Sequence, residues 1–134
     1  MPTIFEKLNL KSQKEILVLS SPESFEKELN SLAGVRIQRQ VEKVKAVEFA
    51  LAFVTQQAEV TRLSKVLAGK AAGDAIVWFA YPKGTSKKYK CDFNRDNGWD
   101  VLRKLGFDTV RAVAIDEDWS ALRFRRVEFI KSAK

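Results

Sequence analysis

The residues Lys83-Gly84-Thr85-Ser86-Lys87-Lys88 place one glycine, two hydroxyls and three ammonium groups in six consecutive positions. A loop of this kind can wrap an anion, with lysines as point charges and hydroxyls and backbone N–H groups as directed donors. Asn94-Arg95 opens a predicted helix, whose positive dipole end adds to the same field. The order Gly-Lys-Ser/Thr of a P-loop is missing, so the standard nucleotide cradle is not expected. A solvated surface loop that keeps the protein soluble is the competing reading. Asp116 and Asp118, in the turn Asp116-Glu117-Asp118-Trp119, can move protons or accept hydrogen bonds from a ligand. They can equally pair with Arg95, Arg111 or Arg123. Trp119, in the same turn, offers a stacking surface for a planar group. Trp99 stands at helical spacing from Leu102 and reads as core. Cys91, in a lysine-rich stretch, sits where neighbouring charge can lower a thiol pKa, but with no histidine and no second cysteine a catalytic thiol is not expected.

What is missing narrows the chemistry further. Histidine is absent, which removes the commonest general base and the commonest metal ligand. A single cysteine cannot form an internal disulfide or a thiolate metal cluster. Zinc modules, disulfide scaffolds and Ser-His-Asp or Cys-His catalysts are therefore excluded; no metal, and no catalytic residue, is assigned. The 134 residues carry 24 basic and 17 acidic groups, a net charge of +7. Residues 68–134 hold 14 of the basic and nine of the acidic groups, with the excess concentrated in Lys83–Arg95. A positive face of this kind invites anionic partners. Neither an apolar leader nor a membrane-spanning run is apparent, so a cytoplasmic location is expected.

The elements that must position these residues follow from hydrophobic patterning. Glu15–Ser20, Val47–Val54 and Ala75–Tyr81 are continuous apolar runs, which read as strands buried on both faces. Val110–Ile115 reads as a fourth. Ser21-Pro22 suits a helix start, with Phe25, Leu29 and Leu32 at helical spacing before Gly34. Thr55 is expected to cap a helix over Gln56–Ala68, and Asn94 a helix over Arg95–Leu105. Val35–Arg39 alternates as a short strand near an edge. Only seven residues separate it from Val47, whereas a parallel crossover normally needs a dozen or more. Its direction therefore stays open. Ser120–Phe129 forms the last strand, with Leu122 and Phe124 on one face and Arg123 and Arg125 on the other. An unpaired charge on an interior strand is costly, so these arginines need a partner such as Asp116, or a groove. Strand–helix alternation with a short final link predicts a single α/β domain over residues 1–134. Its mainly parallel sheet has five or six strands, an antiparallel C-terminal hairpin, and helices on both faces.

Three blocks, Ala80-Tyr81-Pro82-Lys83-Gly84-Thr85-Ser86, Asn94-Arg95-Asp96-Asn97-Gly98-Trp99-Asp100 and Val113-Ala114-Ile115-Asp116-Glu117-Asp118-Trp119-Ser120-Ala121-Leu122-Arg123-Phe124, resemble an uncharacterised bacterial family, a domain of unknown function. That resemblance brings relatives without chemistry. The predicted order of elements resembles, more distantly, the C-terminal half of the Rossmann-like methyltransferase fold. Such enzymes place a glycine-rich turn after the first strand, where only glycine lets the backbone approach the cofactor closely. Here that turn is Ser20-Ser21-Pro22-Glu23-Ser24-Phe25, without glycine. They usually end the second strand on an acidic residue for the ribose hydroxyls; here it ends Gln38-Arg39-Gln40. The standard S-adenosylmethionine site is therefore expected to be absent, and no cofactor is assigned.

Ligands of open parallel sheets bind beyond the carboxyl ends of the strands. Ser20-Ser21, Thr55, Tyr81–Lys88 and Asp116–Trp119 all fall at that edge. The leading expectation is a non-catalytic domain binding an anionic small molecule or a protein partner there. The candidate residues are Lys83, Gly84, Thr85, Ser86, Lys87, Lys88, Asn94, Arg95, Asp116 and Trp119. The alternatives are a methyltransferase-like transferase with a non-standard cofactor site, using Asp116 or Tyr81 near the substrate, and a nucleic-acid-associated domain using the Lys83–Arg95 stripe with Trp119.

Overall fold

The computed structural model describes residues 4–10, 13–32, 34–84, 86–87, 89–93 and 98–130. Six strands form one sheet: β1 (Glu15–Leu19), β2 (Arg36–Gln38), β3 (Val47–Phe53), β4 (Ala71–Pro82), β5 (Phe107–Ala114) and β6 (Trp119–Arg126). Their spatial order is β2-β1-β3-β4-β6-β5. The first four strands pair in parallel, and β6 runs antiparallel between β4 and β5. Parallel neighbours cannot be joined by tight turns, so helices cover both faces. Helices α3 (Gln57–Lys70) and α4 (Asp100–Lys104) pack on one face through Val60, Leu63, Leu67 and Leu102. Helices α1 (Ile4–Lys7) and α2 (Glu26–Asn30) cover part of the other through Ile4, Phe5 and Leu29. This double cover is why β1, β3 and β4 read as continuous apolar runs. In β4, Val77 and Phe79 enter one core while Ile76 and Trp78 enter the other. The Trp78 indole N–H donates to the carbonyl of Leu8 at 2.8 Å, tying α1 to the centre of the sheet.

Several sequence expectations are corrected. Val35–Arg39 contributes only the three residues of β2, which pair in parallel with β1. The short link to β3 succeeds because β2 stops early and the chain crosses β1 as a single 3₁₀ turn, Val41–Lys43. Val44 is buried there, and the Lys70 ammonium holds the carbonyls of Val41 and Val44 at 2.8 and 2.7 Å. Ser21 does not cap a helix; a 3₁₀ turn starts at Glu23, and the Ser21 hydroxyl donates to Glu26 instead. The N-cap of α3 is Gln56, not Thr55, in a reciprocal capping box with Glu59. Helix α4 begins at Asp100, and the residues 94–97 expected to open it lie outside the described set. Val110–Ile115 is not doubly buried: it belongs to the edge strand β5, where Val110 is 38% exposed. An irregularity between Thr109 and Arg111 kinks that edge, a device that discourages strand addition. The last strand ends at Arg126 rather than Phe129. Gly73 (φ +54) lets β4 shift register against β3 immediately after α3. No helix among the described residues is long and apolar enough to cross a membrane.

Candidate functional site

The connection from β1 leads to one side of the sheet, to β2, and the later strands extend the other side. The crevice beyond the carboxyl ends of β1 and β3 is therefore the point where the winding reverses, which is where α/β folds hold ligands. A groove of about 290 Å³ lies there, lined among others by Ser20, Phe53, Thr55, Glu59, Tyr89 and Trp119. Ser20 follows β1 directly with φ +57, a left-handed conformation uncommon outside glycine. Thr55 follows β3, and Trp119 opens β6. The Trp119 ring is 4% exposed and packs edge-on to Phe53, with centroids 5.1 Å apart, and against Tyr89 at 4.8 Å. Its indole N–H is buried and has no hydrogen-bond partner among the described residues. An unpaired buried donor costs free energy comparable to a lost hydrogen bond.

Glu59 contributes shape rather than a free base. Its carboxylate accepts from the backbone N–H groups of Thr55 and Gln56 at 2.9 and 3.1 Å. The chain after β4 crosses over this edge of the sheet. Tyr89 packs with Trp119 on one side, and Phe93 joins Tyr81 and Trp99 in the core on the other. Asp92 anchors the crossing, accepting from the N–H of Gln57 at the start of α3 at 2.7 Å. The Gln57 side chain in turn donates to the carbonyl of Gly98 at 2.7 Å. Gly98 (φ +98) has no room for a side chain, since a Cβ would stand 2.5 Å from the Gln57 Oε1.

The six described residues among the ten candidates from the sequence do not share one cavity. Thr85, Lys88, Asn94 and Arg95 lie outside the described residues. Lys83, Gly84, Ser86 and Lys87 lie at the surface beyond β4 and do not line the groove at the switch point. The Ser86 hydroxyl donates to Asp118 at 2.9 Å and accepts from the N–H of Tyr89, while the Lys83 N–H donates to the Asp118 carbonyl at 2.8 Å. The basic loop is thus stitched to the hairpin turn, with a carboxylate on its serine. Asp116, expected to pair with an arginine, forms no ion pair among the described residues. It accepts from the N–H groups of Asp118 and Trp119, closing its own turn. It lines a separate groove of about 470 Å³ with Ile4, Lys7, Phe25, Lys27 and Asp118. Trp99 is core, as its spacing indicated, at 1% exposure. The lysines around Cys91 do not lower its thiol: burial pushes it up, and Asp92 and Glu59 add to the shift. Phe53, Glu59 and Tyr89 were not singled out from sequence. Tyr89 was the legible one, as an aromatic inside a basic loop.

The turn after β1 is closed by side chains. Arg39, just past β2, makes two bonds to Glu26, at 3.0 and 2.7 Å, and a third to the Ser21 hydroxyl at 3.2 Å. Those Arg39 hydrogen bonds, with the Ser21 hydroxyl next, hold the Glu26 carboxyl below its ordinary range.

No family model matches the chain, and no curated protein does. Solved structures do match. The N-methyltransferase NodS from Bradyrhizobium japonicum WM9 superposes with a TM-score of 0.57 at 11% identity, over 92% of this chain and 93% of that one. A SAM-dependent methyltransferase from Aquifex aeolicus gives 0.56 at 14% identity, over 92% and 87% of the two chains. The DhpI–SAH complex gives 0.61 at 10% identity, over 92% and 82%. At such identities the likeness concerns the fold. The residues present do not fit S-adenosylmethionine in the manner of that fold. Serines with Cβ atoms stand where the backbone must approach it, and an Arg39–Glu26 ion pair stands where a carboxylate would meet its ribose. The chain therefore has the Rossmann-like methyltransferase fold, with a reversed strand between β4 and β5 and an altered turn after β1.

Proposed function

We propose that this chain is a methyltransferase-like domain with a non-standard cofactor site, binding a planar small molecule that carries a hydrogen-bond acceptor. The fold likeness favours this over the non-catalytic module that the missing glycine turn suggested. The observation that carries it is Trp119, which lines the groove at the switch point with Phe53 and Tyr89 packed on its ring and whose buried indole N–H has no hydrogen-bond partner among the described residues. A planar ring that displaces Tyr89 from its packing on Trp119 would bring an acceptor to that N–H, and the hydroxyls of Ser20 and Thr55 add polar contacts at the rim. No step is routed through S-adenosylmethionine. The anion-binding reading of Lys83 and Lys87 has less support, because the Asp118 carboxylate takes the Ser86 hydroxyl and brings a negative charge to the loop.

Thermal shift and Trp fluorescence, with S-adenosylmethionine, adenosine and a panel of heteroaromatic acids as probes, test the proposal. A ligand at a hundred times its Kd adds about 2.7 kcal/mol to stability. A planar probe should raise Tm and change Trp emission in the wild type, and Trp119→Phe, which keeps a ring but removes the donor, should weaken it about tenfold or more. Low-micromolar binding of S-adenosylmethionine would overturn the non-standard site. Binding indifferent to Trp119→Phe, or no planar probe binding at all, would overturn the groove.

A further inference from the structure

Strand β6 carries a second unusual feature, on the face opposite Leu122 and Phe124. Arg123 lies directly across from Arg111 on β5, and Arg125 follows two residues later on the same face. Like charges opposite one another in a sheet are destabilising. Arg125 is neutralised, since Asp74 takes two bonds from it at 2.8 and 2.6 Å. Arg123 is not: its Nε is buried without a partner among the described residues, while its side chain stands over the centre of the sheet opposite Trp78. Burial first, then the nearby charge of Arg125 and Arg111, holds its guanidinium below its ordinary pKa. Arg111 is exposed and forms no ion pair with another described residue. Asp108, opposite Arg125, turns its carboxylate to Arg103 and to the N–H of Thr109. Three arginines therefore share one facing carboxylate, Asp74, and two of their charges are unanswered.

We propose that this arginine face, Arg111, Arg123 and Arg125, binds the phosphate backbone of a nucleic acid. Guanidinium groups match phosphate oxygens with two parallel N–H bonds, which an ammonium cannot do. Directly opposite residues on paired strands stand about 5 Å apart, so the two unanswered guanidinium groups, Arg111 and Arg123, can meet neighbouring phosphates, with the Asp74-paired Arg125 beside them. The chain's net charge of +7 adds long-range attraction to a polyanion. The only tryptophan opposite Arg123, Trp78, is fully buried and offers no stacking surface, so recognition is of the backbone and indifferent to sequence. The surface is separate from the basic loop: Trp78 stands mid-strand in β4, whereas Lys83 follows the end of that strand.

The test is fluorescence anisotropy of a labelled, mixed-sequence single-stranded oligonucleotide of twenty or so nucleotides, titrated with the whole protein at several salt concentrations. Two unanswered charges predict a slope of log K against log salt of about −1.4, from roughly 0.7 per neutralised phosphate on a single strand. Arg111→Gln should weaken binding about threefold or more and lower that slope, while Lys83→Ala/Lys87→Ala should leave both within twofold. Arg111 is exposed, so its replacement keeps the fold; relief of the like-charge pair should leave Tm unchanged or raised. Arg123→Lys, which keeps the charge but loses the fork, should weaken binding without abolishing the slope. The proposal is overturned if the oligonucleotide does not bind at low salt, if Arg111→Gln changes nothing, or if the lysine pair carries the binding. It is also overturned if polyglutamate competes as well as the oligonucleotide at equal charge, which would make an acidic protein the partner.

Discussion

Replacing Trp99 with alanine separates scaffold from surface more sharply than any other single change. Trp99 is 1% exposed, and its ring lies 5.1–5.8 Å from those of Phe93, Phe124, Tyr81 and Phe79. It also forms the N-cap of α4, so it joins the loop after β4 to the helical face of the sheet. Deleting a buried Trp removes its transfer free energy and leaves a cavity that four surrounding rings cannot fill, a loss of about 3–5 kcal/mol. Unfolding entropy near 60 °C is about 2.1 cal/mol/K per residue, so the 134-residue chain has roughly 0.28 kcal/mol/K. Trp99→Ala should therefore lower Tm by about 11–18 °C. Lys83→Ala/Lys87→Ala should stay within about 0.5 kcal/mol, or 2 °C, because Lys83 holds Asp118 through its backbone N–H, which alanine retains. Circular dichroism melts and urea titrations measure both. A Trp99→Ala loss under about 1 kcal/mol, or a lysine pair that costs more than Trp99, would show that scaffold and surface have been exchanged.

Two further outcomes follow from the charges. The hydrogen bonds from Arg125 hold the Asp74 carboxyl below its ordinary value of 3.8 in the folded protein, so the pair's stability is present above that value and is lost as pH falls through the folded pKa. Asp74→Asn should cost roughly 0.2–1 kcal/mol at pH 7, the range for a largely solvated pair, and the difference from wild type should close in acid. A difference in urea midpoint that persists unchanged well below the Asp74 pKa would contradict the linkage. Cys91 has its thiol raised above the ordinary 9.0, mainly by burial. Its alkylation by iodoacetamide should be slower than that of a free thiol near neutrality and climb steeply in the alkaline range. A rate already at its plateau at neutral pH would show a reactive thiolate instead.

The sequence by itself determined the layers. Continuous apolar runs at Glu15–Leu19, Val47–Phe53 and Ala75–Tyr81 can be satisfied only by strands covered on both faces, and the brief Asp116–Asp118 turn can join only antiparallel strands. Alternation along β6 separated Leu122 and Phe124 from Arg123 and Arg125, and helical spacing put Trp99 in the core. The carboxyl edge of the sheet as the expected place for a ligand followed from the same reasoning, and Ser20, Thr55 and Trp119 line one groove there. Tertiary structure decided everything that depends on which long-range partner a polar group finds. Asp116 and Asp118 look alike in sequence, yet one closes its own turn and the other holds the hydroxyl of the basic loop. Arg123 and Arg125 look alike too, but only Arg125 has Asp74, on a neighbouring strand and far away in sequence, within reach. Val110 reads as core from its neighbours, and only the strand order places it on an open edge. Apolar burial is set by local periodicity, which one segment carries by itself. Pairing of charges and donors is set by the meeting of distant segments, and no single segment carries that.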